Sequence, residues 1–450
     1  MARVSDLTTG NIGRKVIGFS APIILSNLIQ AVYGIVDMVT VGQFVGPAGM
    51  SAVSMGAQIT TVILVTMNGL SNGTTIITAQ LAGQGRRERV PLVLGTTLTF
   101  FSIFAILVTA LTMALAHPLL TAINTPDVAF EQAVKYLLIC AAGTIFIYLY
   151  NNMAALLRGL GDSRTPMVIV IITVLLNAIL DVLFIVVFQL GAVGAALATV
   201  FCQFVSFLLL AIHVAKRAKL FDFRPASFRI HGEYLRLILR IGLPQTVQFL
   251  FASSSFVFLS GLVNLYDVEA SAAAGAAAKI QTIANLPAQG MMLGIMTMTA
   301  QNLAAGQPKR VTKGMGAGMV FSGAVSLVIF ALCMIFPQTV FRIFTPDAAV
   351  AAVGVGYLRC MAASFIIEGI MFCMFGVISG SGYTPVTMCC GILSAFVARY
   401  SCAVLFSRVM NLGFNGIGLS YLAAPVITTM ICLLFILSGK WKSSRVTVKK

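Results

Sequence analysis

Charge is scarce in this chain. Of 450 residues, 9% are Asp, Glu, Lys or Arg, against about 25% in an ordinary soluble domain. With 59% apolar residues and a mean hydropathy of +0.98, a water-facing globular domain is excluded, and the solvent for most of the chain is lipid. Tryptophan occurs once and histidine three times, at His117, His213 and His231. No histidine stands in a pattern that pairs a nucleophile with a base or gathers metal ligands, so the sequence offers no enzyme active site and no cofactor motif. Nine cysteines are present, among them Cys140, Cys202, Cys333 and the neighbours Cys389 and Cys390. All fall inside apolar runs, without the spacing of a metal site or a disulfide framework, and read as small core hydrophobes.

What the chain has in abundance is long apolar runs. A spanning helix needs roughly 20 apolar residues at 1.5 Å each, and such runs recur at 16–41, 51–79, 92–116, 133–157, 167–188, 191–214, 242–265, 271–300, 314–337, 351–378, 386–409 and 416–438. The fold class is therefore an all-α polytopic membrane protein with twelve transmembrane helices. No cleavable leader is expected, because the first run is as long as a full span.

The net charge of +16 reports orientation. Bases cluster at Arg3, Arg14 and Lys15, at Arg86, Arg87 and Arg89, at Arg158 and Arg164, from Lys216 to Arg240, at Lys309, Arg310 and Lys313, and from Lys440 to Lys450. With twelve crossings, the termini and every even-numbered connection share one face, and the positive-inside rule makes that face cytoplasmic. The opposite loops carry Asp127, Glu131, Asp267, Glu269 and Asp347. The expected location is a bacterial inner membrane, with both termini cytoplasmic and no role for nucleic acid.

The second half repeats the first at a shift of about 221 residues. Pro22 falls on Pro244, Thr78-Ala79-Gln80 on Thr299-Ala300-Gln301, Thr125-Pro126-Asp127 on Thr345-Pro346-Asp347, and Tyr136-Leu137 on Tyr357-Leu358. Gly159 and Gly161 fall on Gly380 and Gly382, and Leu190-Gly191 on Leu412-Gly413. Six crossings per copy make this a parallel repeat, with two pseudo-symmetric six-helix lobes at 1–221 and 222–450 joined through the polar stretch Lys216 to Arg240. Such a duplicated bundle is the plan of an alternating-access transporter. The glycine-rich stretches before Pro166 and Pro385 lack the ending of a phosphate loop and read as turns.

An ionisable group in hydrocarbon costs at least about 2.5 to 3.5 kcal/mol on insertion scales, so each one inside a span is a functional candidate. The acids are Asp37, Asp181 and Glu368; the bases inside spans are Lys279 and Arg399. Asn177 precedes Asp181 by one helical turn, on the same face. Rise per residue places Asp181 roughly 20 Å from the cytoplasmic end of its helix and Thr199 roughly 12 Å from the outer end of the next. Asp37, Asn177, Asp181 and Thr199 are thus expected to meet in the outer half of the N-terminal lobe. Two carboxylates without a base repel, so one of them holds a proton or the pair holds a cation. Glu368 is open between a second coupling acid and a partner neutralised by Lys279 or Arg399. The 21 methionines and 31 phenylalanines supply soft apolar surface suited to amphipathic organic molecules.

The stretch Val36-Asp37-Met38-Val39-Thr40-Val41-Gly42, the segment Ala79-Gln80-Leu81-Ala82-Gly83, and Leu157-Arg158-Gly159 with Gly161-Asp162 resemble the multidrug and toxic compound extrusion (MATE) family over essentially the whole chain. The resemblance implies a V-shaped pair of six-helix lobes, acting as a monomer among membrane lipids. It implies export of cationic or amphipathic drugs coupled to inward flow of Na⁺ or H⁺, with no other cofactor. It carries the family's ion site onto Asp37, Asn177, Asp181 and Thr199, with Tyr136 as a neighbour. One branch of the family has a second site that pairs a helix 7 glutamate with a helix 10 aspartate. Here Ala252 stands where that glutamate is expected and helix 10 offers Glu368, which favours the N-terminal lobe. The alternative is a lipid-linked oligosaccharide flippase, whose anionic cargo calls for more basic residues within the spans than Lys279 and Arg399.

Overall fold

The structure, a computed structural model, describes residues 6–216, 224–345 and 347–445, with the backbone alone at Phe256 and Val257. The repeat boundary at 221/222, Arg217 and Lys219 of the linker, Pro346 of the second Thr-Pro-Asp motif, and Arg3 and the last five residues of the two terminal basic clusters lie outside the described residues. Every regular element among the described residues is helical.

Twelve long helices follow one another. They are α1 (Ile12–Phe44), α2 (Gly46–Gly83), α3 (Val90–Ala122), α4 (Asp127–Gly159), α5 (Arg164–Val187) and α6 (Gly191–Lys216), then α7 (Gly232–Val263), α8 (Val268–Ala304), α9 (Pro308–Ile335), α10 (Ala348–Gly380), α11 (Thr384–Val409) and α12 (Gly413–Leu437). Eleven of them are long and apolar enough to cross a membrane. The twelfth, α8, has the length at 37 residues but is alanine-rich and carries Glu269, Lys279, Gln281 and Asn285, which lowers its hydropathy. The protein is a multi-pass membrane protein.

Several helices outrun the apolar runs that announced them. The stretch from Gly232 to Arg240, expected as linker, is the first part of α7. Its bases interrupt the hydropathy of the segment without interrupting its helix, because Lys and Arg are good helix formers. In lipid, where apolar burial between helices gains little, close packing falls to small residues. Gly159 lets α4 cross α2, since a Cβ there would lie 2.6 Å from the Thr75 carbonyl oxygen and 2.7 Å from Thr78 Cβ. Gly380 does the same for α10 against Met296 and Thr299 of α8.

These contacts are repeat mates, and the turns repeat with them. Gly161 and Gly382 take φ of 93° and 83°, and Gln189 and Asn411, neither of them glycine, take 54° and 55°. The left-handed region disfavours glutamine, so its recurrence at matched positions is a strong mark of duplication. The copies differ in one respect. Between Thr165-Pro166 and Leu190, the first half has three residues fewer than the second has between Thr384-Pro385 and Leu412. The first half widens α5 into one π-helical segment, Val182–Val187, whereas α11 has two, Leu393–Tyr400 and Leu405–Val409. The wider turns take up part of the excess length without a break in the helix.

By contacts the chain forms two compact units. One comprises residues 25–242, the other 6–24 with 243–445 of the described chain. Helix α1 therefore divides near Pro22, its start belonging to the second unit and its remainder to the first. Helix α7 divides at Gly242, next to Pro244, in the opposite sense.

Candidate functional site

In the first unit, α1 and α5 bring a tyrosine and two carboxylates together. Tyr33 donates its hydroxyl to Asp181 Oδ2 at 2.6 Å, and Asn177 Nδ2, one turn before Asp181, reaches Oδ1 at 3.4 Å. Asp181 is 2% exposed. Asp37 lies one turn beyond Tyr33, within electrostatic range of Asp181, and its Oδ1 is buried without a hydrogen-bond partner. No lysine or arginine among the described residues acts on either carboxylate. Tyr136 of α4 is buried in range of both acids and hydrogen-bonds Cys140. Room for its ring comes from Gly56 of α2, where a Cβ would lie 2.9 Å from Tyr136 Cε1.

Local chain geometry puts these groups in place. The π-helical segment of α5 starts at Val182, directly after Asp181, and Gly194 of α6 admits it. A Cβ at Gly194 would lie 3.0 Å from the Phe184 carbonyl. Such segments in α-helices recur at functional sites. The arrangement thus offers carboxylate, amide and phenol oxygens in an apolar surround, a donor set suited to a proton or a small hard cation. Of the residues expected here, Thr199 is half-buried on α6 and hydrogen-bonds neither acid. Tyr33, which does, went unremarked in the sequence, although it stands four residues before Asp37 and hence on the same face of α1.

The second unit is built differently. Glu368 of α10 is 3% exposed and accepts a hydrogen bond from Gln281 Nε2 at 3.2 Å; Asn285, a turn further along α8, also reaches it. Arg399, in the first π-helical segment of α11, acts electrostatically on Glu368 and sits over the Tyr421 ring at 5.1 Å from its centroid. Tyr421 in turn hydrogen-bonds Tyr357, the repeat mate of Tyr136. Lys279 is exposed on α8 and does not act on Glu368, so the base facing this acid is Arg399. Among the described residues, the tyrosine of the first unit thus lies in range of two acids without a base, whereas its mate in the second lies in range of Arg399 and reaches the acid only through Tyr421.

Comparison with known proteins follows the same halves. The MatE family model matches twice, at residues 22–183 and 244–405. A probable multidrug resistance protein of Bacillus subtilis, YpnP, is 28% identical over 99% of both chains. The probable multidrug resistance protein NorM of Thermotoga maritima is 26% identical over 98% of this chain and 95% of its own. Among solved structures, MATE in complex with MaL6 superposes with a TM-score of 0.92 at 22% identity, over 98% of this chain and 100% of that one. A MOP superfamily transporter from Pyrococcus furiosus gives the same score over 97% and 98%. Two family matches, one to each half of a duplicated helical membrane protein and together spanning most of its length, leave one conclusion: the chain belongs to the MatE family.

Proposed function

We propose that the chain is a secondary active multidrug exporter, exchanging cationic or amphipathic organic compounds for Na⁺ or H⁺ by alternating access. The single observation that carries this reading is the pair Asp37 and Asp181, two carboxylates inside spans with no base, one of them with a buried unpartnered oxygen. A bound proton or cation removes the repulsion between them, and its arrival changes the relative stability of the states that the transporter visits. Asn177, Tyr33, Tyr136 and Thr199 complete the surroundings. The names of the relatives, multidrug resistance and multidrug export proteins, support a drug-like cargo. The basic clusters on the termini and even-numbered connections support insertion in a bacterial inner membrane with both termini cytoplasmic. Glu368, which unlike the acid pair has a base, Arg399, in electrostatic range, stays out of ion coupling, and the lobes built from 1–221 and 222–450 contribute unequally.

The test is efflux of ethidium or norfloxacin from proteoliposomes, with Na⁺ and H⁺ gradients imposed separately. One of the two gradients should drive efflux, and Asp37→Asn and Asp181→Asn should each abolish that dependence. If both variants export as the parent does, the coupling site lies elsewhere.

A further inference from the structure

The described chain begins with a segment that is held far more firmly than a terminus outside the membrane requires. Leu7 is fully buried in the apolar cluster of the second unit that also contains Ile12, Val16, Met298, Val311 and Trp441. Its amide donates to Gln301 Oε1 at 3.3 Å, and its carbonyl accepts from Asn302 Nδ2 at 3.1 Å. Arg310, at the start of α9, gathers the rest of the segment. Its Nη2 donates to the carbonyls of Leu7 at 3.3 Å and Thr9 at 3.0 Å. Nη1 donates to Gly10 at 2.9 Å, and Nε to Asn302 Oδ1 at 3.0 Å. The planar guanidinium serves the carbonyls of Leu7, Thr9 and Gly10 and the Asn302 side chain at once, four bonds against the three donors of an ammonium. Lys15 closes the turn from the other side by bonding the Asp6 carbonyl and Thr9 Oγ1.

The start of α1 continues this docking. Gly290 and Gly294 of α8 are spaced by four, and added Cβ atoms there would strike Ile24 and Ser20. From residue 25 onward α1 belongs to the first unit, where it carries Tyr33 and Asp37 to Asp181. One uninterrupted helix (Ile12–Phe44) therefore has its start fastened in one unit and its acid in the other.

We infer that residues 6–10 form a clasp and that Arg310 is a positioning residue for transport, anchoring the start of α1 so that a change in charge at Asp37 is passed along the helix to the second unit. This rests on the coupling role given to Asp37 above, whereas the clasp itself does not.

Trp441, the only tryptophan in the chain, shares the clasp's apolar cluster and reports on it directly. In the reconstituted full chain, Arg310→Gln should raise acrylamide quenching of Trp441 at least threefold and speed tryptic cleavage after Arg14 and Lys15 at least tenfold, with Arg310→Lys intermediate in both. Gradient-driven ethidium efflux should lose at least tenfold in maximal rate while its half-saturating concentration stays within twofold, and Arg310→Lys should recover part of the rate. Leu7→Ala, which leaves Arg310 in place, should give the same pattern in milder form and serves if Arg310→Gln does not reach the membrane. Unchanged quenching and cleavage would refute the clasp. An open clasp with an undiminished rate would refute the positioning role. If Asp37→Asn leaves coupling intact, the coupling reading fails and takes the positioning role with it, a result separable from the quenching and cleavage that report the clasp alone.

Discussion

Gly159→Ala and Gly380→Ala should destabilise the protein by similar amounts, because each glycine occupies the same crossing in its own half. A Cβ at Gly159 would lie 2.6 Å from a carbonyl oxygen and 2.7 Å from Thr78 Cβ, and one at Gly380 would lie 2.8 Å from Thr299 Cβ and closer still to the Met296 carbonyl. Ordinary contact begins near 3.4 Å, so the helices must part by more than half an ångström or bend. Both opposing groups are backbone or the root of a side chain, and neither can swing away. Overpacking of this kind costs about 1 to 3 kcal/mol. The control is Gly316→Ala in α9, where a Cβ meets nothing within 4 Å and the exchange gains about 0.5 to 1 kcal/mol of helix preference. Since that preference accrues to all three variants, the gap between either variant and the control should be about 1 to 3 kcal/mol, or a few degrees in apparent melting temperature at roughly 1 °C per kcal/mol for a chain of this length. Detergent-purified protein heated in steps and passed over a size-exclusion column gives the measurement. Should Gly159→Ala and Gly380→Ala melt with Gly316→Ala, the crossings are not close-packed as described. A fall in only one of them would mean that the two halves do not share this geometry.

Two further outcomes follow from the polar clusters. Tyr33→Phe keeps the ring and removes the 2.6 Å bond to Asp181; a hydrogen bond to a charged group contributes about 1.5 to 3 kcal/mol. The ionised carboxylate loses that support, so with H⁺ as coupling ion the half-saturating concentration in proteoliposome efflux should fall tenfold or more, whereas with Na⁺ the loss of a phenol oxygen from the donor set should raise it; an unchanged value would mean that the bond has no part in ion binding. Arg399→Met removes the base that acts on Glu368 through space, a loss of about 1 kcal/mol, visible as a slightly lower melting temperature. Adding Glu368→Gln should restore most of it, and simple additivity of the two losses would show that the residues do not compensate each other.

The architecture was legible in the sequence because lipid imposes a coarse rule. A run of roughly 20 apolar residues has few other uses, and two copies of the plan made the count self-checking. The acids Asp37 and Asp181 were equally legible, since each stands alone in an apolar run. Three features were not. The start of α7 was hidden because Arg236 and Arg240 lower hydropathy while leaving the helix intact. The π-helical segments leave no residue signature of their own, no proline or run of glycines; the only trace is the three-residue excess in the second half, which says that something is longer but not where. Arg310 looks in the sequence like one more base on a charged connection, because its four hydrogen bonds go to the carbonyls of Leu7, Thr9 and Gly10 and to Asn302, partners that no spacing reveals. Nor does spacing choose between Lys279 and Arg399 as the base near Glu368, of which the structure brings Arg399 into range. Both stand inside long helices, and only the fold shows that the Lys279 side chain is exposed.

The division of α1 and α7 between the contact units has a consequence for how the chain can be cut. Were the two halves separate polypeptides, the same arrangement would be a reciprocal domain swap, each six-helix chain lending the first turns of its first helix to the other. Fusion makes the exchange intramolecular and spares it the cost of bringing two chains together. A gene split at the repeat boundary therefore does not yield two self-sufficient lobes. The first fragment would keep residues 6–24 without the surface that receives them, the second would begin with a stretch of α7 fitted to Gly73 and Leu70 of the other, and the pair should accumulate in the membrane only when made together.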